Sequence, residues 1–267
     1  MNKSQKTRLM RRCPVIIRID GKAFHTFTKG FKRPFDNVLI KSMQETMKYL
    51  CKNIQGCVLG YHQSDEISLV LIDYQKLTSD AWFDYEVQKM CSITASMATI
   101  AFNKIFSTNV LQNTDWFSDE LLEDGSFNEN YENDDLKEIW ICQKHAADKG
   151  AMFDARCFNI PKEEVTNYIY WRQLDATRNS IQMVGQANFS HKELQGKSCN
   201  QIQDLLMVHK KINWNDLPVY QKRGSCAIKI KQEEKENMKN EWIIDTEIPI
   251  FRGEDRYYID RFVYCNE

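Results

Sequence analysis

Asp20 closes a short apolar run, Pro14-Val-Ile-Ile-Arg-Ile-Asp20, and is followed at once by Gly21. Further along, Asp65 and Glu66 stand between two more apolar runs, Gly56 to His62 and Ile67 to Ile72. Carboxylates are hard oxygen donors, and two that converge can seat divalent cations. Two such ions about 3.5–4 Å apart can serve both the attacking and the leaving oxygen of a phosphoryl displacement. Gly21 lets backbone approach closely, so its carbonyl could be a third ligand. An Asp at a strand end is more often a turn former. The weight of the reading lies in the combination of a strand-end Asp-Gly with an Asp-Glu pair between two strands.

Those residues meet only if the chain places them together. Pro14 to Asp20 suits a buried central strand. Pro34 to Leu50 repeats Val38, Leu39, Met43, Met47 and Leu50 near helical spacing, with Asp36 as N-cap. Gly56–His62 and Ile67–Ile72 read as a hairpin with the acids at its tip. Ala81 to Phe106 is helical by pattern and Gly150 to Asn159 alternates as a strand. The order β-α-β-β-α-β predicts an α+β, ferredoxin-like core of the polymerase-palm type, in which the first strand lies beside the hairpin. The acidic stretch from about residue 110 to 149 reads as an insertion before the last strand. Glu163 to Met183 is a further helix, and Ser198-Cys-Asn-Gln201 is a capping box opening another. Ser225–Ile230 and Trp242–Phe251 are late strands. We expect a catalytic core over residues 1–185 and a C-terminal helical and strand region over 186–267, packed on it, with the handover near Gly185–Ser190.

Composition sets the outer limits. A chain of 267 residues with 42% hydrophobic content can bury one sizeable core. The net charge is −1, yet ten Lys or Arg residues fall between Lys3 and Arg33, and ten Asp or Glu between Asp115 and Glu138. Segregated charge lets one face bind a polyanion while the total stays neutral, although both runs also suit a solvated surface. Nine cysteines without a CxxC pair read as reduced, mostly buried thiols, with no zinc site. The basic N-terminus lacks an apolar signal core and no apolar run nears about 18 residues, so we expect a soluble, cytoplasmic protein without a membrane partner.

Four blocks carry a family resemblance: Arg18-Ile-Asp-Gly-Lys-Ala-Phe-His25-Thr-Phe27, Phe31-Lys-Arg-Pro-Phe-Asp36, Gln63-Ser-Asp-Glu-Ile-Ser68 and Tyr170-Trp-Arg-Gln-Leu-Asp175. In this order, over about residues 14 to 230, they resemble the tRNA(His) guanylyltransferase family. The resemblance implies 3′-to-5′ nucleotide addition: ATP or GTP activates an RNA 5′ end, then the 3′-hydroxyl of an incoming nucleotide attacks it. It implies two Mg²⁺ ions held by Asp20, the Gly21 carbonyl and Asp65, and a homotetramer with tRNA as partner. Its nucleotide-binding stretch falls on Asp20, Gly21, Lys22, Ala23, Phe24 and His25, on Asp36, and on Ser64-Asp65. Lys89 aligns with a lysine used in 5′ activation. Where the family places a lysine before the proline of the second block, this chain has Arg33 with Lys32 beside it, and either could meet a triphosphate.

Glu66, next to Asp65, should turn to the other face of its strand and support the site. Phe24 could pack on a base or belong to the core. Arg156, Lys197, Lys210 and Arg223 are the candidate RNA contacts, since backbone binding needs cations without sequence readout. After the Trp-Arg-Gln block, members acting on histidine tRNA carry His-Ile-Asn-Asn-Leu-Tyr-Asn; here the chain reads Thr177-Arg-Asn-Ser-Ile-Gln-Met183. That departure matches the guanylyltransferase-like proteins associated with templated repair of 5′-truncated tRNA, and sets single-G addition second. The rivals are a palm-fold cyclase, for which Gln63-Ser64-Asp65-Glu66 lacks the expected Gly-Gly, and a non-catalytic RNA-binding module. Gly196-Lys-Ser198 lacks the leading glycine of a phosphate loop. His62 on a strand reads as packed.

Overall fold

The computed structural model describes residues 6–112, 134–234 and 237–265. Strand β1 (Val15–Gly21) leads through the single turn α1 (Phe24–Phe27) to helix α2 (Asn37–Asn53). Helix α2 starts where expected because the Asp36 side chain accepts the Leu39 N–H at 3.0 Å. Strands β2 (Cys57–Gln63) and β3 (Glu66–Leu71) form the predicted hairpin, turning on Ser64 and Asp65 alone, with Ser64 at φ 52°. Helix α3 (Val87–Gln112) begins six residues later than the periodicity implied, after a short 3₁₀ turn over Trp82–Tyr85. Helix α4 (Asp134–Lys149) precedes β4 (Phe153–Asn159), and helix α5 (Lys162–Asn188) follows.

The chain then forms the short helices α6 (His191–Leu194), α7 (Cys199–Leu205) and α8 (Val219–Arg223), strands β5 (Ser225–Glu234) and β6 (Asn237–Asp245), and α9 (Tyr257–Val263). The Ser198 capping box is present. Two readings shift. The predicted strand Trp242–Phe251 lies instead at Asn237–Asp245, and α5 runs through Gly185 to Asn188. Much of the acidic stretch, residues 113–133, lies outside the described residues. Its last part is helix, with Trp140 buried against the core.

The strands of the described residues join one sheet in the order β4-β1-β3-β2-β5-β6, every pair antiparallel. Its first four strands are the expected split βαβ arrangement. Strands β1 and β3 are buried on both faces, as their near-continuous apolar runs require. Ile17, Ile19, Ile67 and Leu69 face α2 and α3, while Ile16 and Val70 face α5 and α9. Among the described residues no helix is long and apolar enough to cross a membrane.

Register decides what the second face carries. Residues directly opposite across an antiparallel pair share a face. Asp20 lies opposite Glu66 on β3 and opposite Asp154 on β4; one step inward, Arg18 lies opposite Ser68 and Arg156. The α5 face therefore ends in a rung of three carboxylates backed by a rung with two arginines.

Candidate active site

The end of β1 and the tip of the hairpin are tied together: the Gly21 N–H donates to the Asp65 carbonyl at 3.1 Å. No side chain fits at Gly21, because a Cβ there would lie 2.2 Å from the Phe24 ring. Burial raises the Asp65 carboxyl above its ordinary value, and the charge on Asp20 raises it further. Two carboxylates, 45 positions apart in the sequence, thus share one edge of the sheet, with Arg18 only partly opposing their repulsion. Among the described residues no three His, Cys, Asp or Glu side chains form a metal cluster. The donor set here is two carboxylates plus the Gly21 backbone, all hard oxygen, and it suits Mg²⁺ better than zinc.

The hairpin tip is held from beneath by His62. Its Nε2 donates to the Ser64 carbonyl at 2.9 Å, which leaves Nδ1 to accept from Ser225 Oγ at 3.4 Å. Ser225 Oγ in turn accepts from Gln44 Nε2 at 3.1 Å. Burial lowers the His62 pKa to about 4, so the ring is neutral and serves as packing, as the sequence implied.

Beside the tip lies a cavity of about 480 Å³. Of the expected nucleotide residues it is lined by Phe24, His25, Lys32, Arg33, Asp36, Ser64 and Asp65. The alternatives left open resolve in part. Phe24 is buried in an aromatic cluster with Phe27, Phe102 and Phe153, at 5.1–5.7 Å between ring centres, so it forms the cavity floor as a core residue. Lys32 and Arg33 both line the cavity. Asp36 does so with its oxygens already taken by the N–H groups of Lys32 and Leu39 and by Gln143 Nε2. Its work is to fix the loop that carries the two cations. Sequence reasoning missed Lys29, a third cation in the wall, although it belongs to the basic run from Lys22 to Arg33. It also missed Met183, Gln186 and Ala187 of α5.

Glu66 stands apart from that cavity. Arg172 on α5 donates to both its oxygens, Nε to Oε1 and Nη2 to Oε2, each at 2.7 Å, and Arg18 Nη2 approaches Oε2 at 2.6 Å. Burial raises the Glu66 carboxyl, and the two arginines oppose that rise. With its oxygens engaged in this way, Glu66 supports the tip and is not a free acid. The clamp explains the Trp-Arg-Gln block, for which the sequence offered no role. Gln173 completes it by binding the Pro249 carbonyl at 2.8 Å and the Phe251 N–H at 3.1 Å.

The remaining expected residues lie around this centre. Lys22 is exposed and Ala23 adopts a left-handed turn at φ 53°. Lys89 is exposed at the start of α3, its ammonium 4.7 Å from the Phe83 ring centre. Lys197 and Lys210 line a neighbouring cavity of about 780 Å³ that shares Gln186 and Ala187 with the first. Arg223 is half-buried, its carbonyl accepting from Tyr61 Oη at 2.7 Å. Arg156 is an exposed member of the arginine rung.

A palm-type sheet with paired carboxylates at one edge and a cation-lined cavity beside them defines a nucleotidyl-transfer scaffold. The family model for Thg1, tRNAHis guanylyltransferase, matches residues 2–161, and the chain belongs to that family of nucleotidyltransferases. It is 26% identical to the tRNA(His) guanylyltransferase of Saccharomyces cerevisiae over 233 residues, covering 82% of this chain and 84% of that protein. Among solved structures it is similar to a bacterial tRNA(His) guanylyltransferase (Thg1)-like protein in complex with ATP, at a TM-score of 0.76 and 43% identity, over 98% of this chain and 94% of that one. The GTP complex of a bacterial Thg1-like protein matches at a TM-score of 0.73 and 40% identity, over 97% and 93% of the two chains.

Proposed function

We propose that this protein adds nucleotides in the 3′-to-5′ direction to the 5′ end of a tRNA, directed by the opposite strand, after ATP or GTP has activated that end. The observation that carries the reading is the convergence of Asp20 and Asp65 beside a cavity walled by Lys29, Lys32 and Arg33. Asp20, Asp65 and the Gly21 carbonyl would hold two Mg²⁺ ions, which when bound neutralise charge on the transferring phosphoryl group and align it. The three cations of the wall hold a triphosphate, and His25 stands at the rim beside the sugar or base. Neither Lys nor Arg needs to act as a nucleophile, since phosphoryl transfer depends on positioning and charge stabilisation. The cavity bearing Lys197 and Lys210 continues from the nucleotide cavity and offers a path for the RNA backbone. Assembly into a homotetramer belongs to the same proposal. Template direction is favoured over single-G addition by Thr177–Met183, which departs from the histidine-tRNA motif.

The test supplies purified protein with a tRNA lacking its 5′-terminal nucleotide, Mg²⁺ and labelled nucleoside triphosphates. Extension that stops at the last paired position is expected. Addition of one G opposite a non-complementary base would replace the templated reading with the second one. Asp20→Ala and Asp65→Ala should each lower turnover by about 10³-fold with an unchanged circular dichroism spectrum. Retained turnover in either variant would overturn the metal assignment.

A further inference from the structure

Helix α5 passes both sides of the carboxylates. Its C-terminal half gives Met183, Gln186 and Ala187 to the nucleotide cavity, while Arg172 sits at Glu66 and is braced by Asp175. Arg172 and Met183 are thus about 16 Å apart along the helix axis. In-line displacement puts entering and leaving oxygens on opposite sides of the phosphorus. In the activation step an oxygen of the RNA 5′-phosphate enters opposite the departing pyrophosphate, so with the triphosphate in the cavity at the C-terminal half of α5 the RNA terminus lies toward the N-terminal half.

On that side the most prominent group is Trp171, 54% exposed. Its indole is held in place. The Arg172 guanidinium lies 4.7 Å from the ring centre and is itself fixed by two 2.7 Å hydrogen bonds to Glu66. Tyr168 flanks the indole at 6.1 Å between ring centres, and its hydroxyl lies 3.4 Å from Ser68 Oγ on β3. An oriented indole with so much surface in water is suited to receive a planar partner, because every nucleobase offers a π-face. Arg156, 67% exposed, lies on the same face of the sheet, one rung behind Asp20.

We propose that Trp171 is the stacking platform for the 5′-terminal base of the RNA, with Arg156 receiving a phosphate beside it. This rests on the reading that the chain acts on RNA 5′ ends, and it adds the subsite that presents the end to the carboxylates. Leu174, 49% exposed one helical turn on, extends the same stripe. A second copy of the chain covering that stripe is the competing occupant, and the experiment distinguishes the two.

The probe is a tRNA transcript lacking its 5′-terminal nucleotide and carrying 2-aminopurine, opposite uridine, at its new 5′ end. The full-length protein, Trp171→Ala and Trp171→Phe are titrated into it with Mg²⁺. Stacking quenches this fluorophore. We expect the wild type and Trp171→Phe to quench it, and Trp171→Ala to bind about 10-fold more weakly without quenching. A 2-aminopurine in the anticodon loop should respond alike to all three. Equal quenching by wild type and Trp171→Ala overturns the assignment, as does a change in oligomeric state of Trp171→Ala with quenching kept. Quenching needs no turnover. A wild type that quenches but never extends RNA defeats the proposed function alone, and one that extends RNA with Trp171→Ala quenching normally defeats this inference alone.

Discussion

Two arginine–carboxylate pairs lie on one face of one sheet, and they have opposite characters. Arg172 and Glu66 are 5% and 4% exposed and meet through two 2.7 Å hydrogen bonds. Arg156 and Asp154 are 67% and 56% exposed and come no closer than 3.7 Å. Glu66 and Asp154 occupy the same rung, on either side of Asp20. Residue type and register therefore do not separate them; the cover supplied by α5 does. Under α5 the charges lose water and must satisfy each other, so the pair is a fixed support. Beyond α5 the charges keep water, contribute little to stability and remain free to meet a ligand.

The largest test of that contrast is Arg172→Ala. Loss of Arg172 removes both of its hydrogen bonds to Glu66 and leaves that buried carboxylate with Arg18 as its remaining cation, so the cost in urea unfolding should fall at or just below the low end of the range for breaking a buried pair, about 3 kcal/mol. Arg172→Lys should recover part of this, because an ammonium cannot reproduce the two-pronged geometry. A loss below about 1 kcal/mol would place the buried pair in the same class as the exposed one.

Asp20 lies in the middle of the rung, and burial together with the charge on Asp20 raises the Asp65 carboxyl beside it. A carboxyl raised in the folded state favours the fold most below its ordinary value of 3.8, and that contribution is lost as pH rises through the higher folded value. At the proposed metal site a divalent cation would bind the deprotonated form and do for this pair what Arg172 does for Glu66. Mg²⁺ at ten times its Kd should therefore raise the melting temperature by about 3–5 °C at pH 7. The rise should shrink as pH falls through the Asp65 transition and disappear in Asp20→Asn. A pH-independent rise, or one kept in Asp20→Asn, would mean that the ion binds elsewhere.

The contrast also marks what the sequence could disclose. Local signals were sufficient for the βαββαβ order: the apolar run before Asp20, the Asp36 cap and a hairpin tip carrying Asp65 follow from short-range chemistry, while the narrowing of that tip to Ser64-Asp65 did not. Burial could not be read the same way. Arg172 reaches Glu66 across 106 positions, and only the packing of α5 on the sheet makes that contact. The Trp-Arg-Gln block was visible as a motif while its partner was not. Phe24 stood open between base and core because the aromatic cluster that claims it draws on α3 and β4. The helical end of the acidic stretch was hidden by the charge around it, since its core face is made of scattered residues, chiefly Trp140, Gln143 and Ala146.

Arg156→Ala is the smallest expected effect on the fold and the one that gives the exposed pair a purpose. Surface substitutions of this kind change stability by about 0.5 kcal/mol or less, so urea unfolding should scarcely register it. RNA binding should. If Arg156 meets a phosphate, its loss removes one released counterion, and the slope of log affinity against log salt should fall by about 0.7–0.9. The weakening should be similar for tRNAs of different sequence, because a phosphate contact carries no base information. An unchanged slope would return Arg156 to the solvated surface beside Asp154. An altered slope together with a stability near wild type would place the two arginines of this face in separate trades, one holding the site and the other holding its substrate.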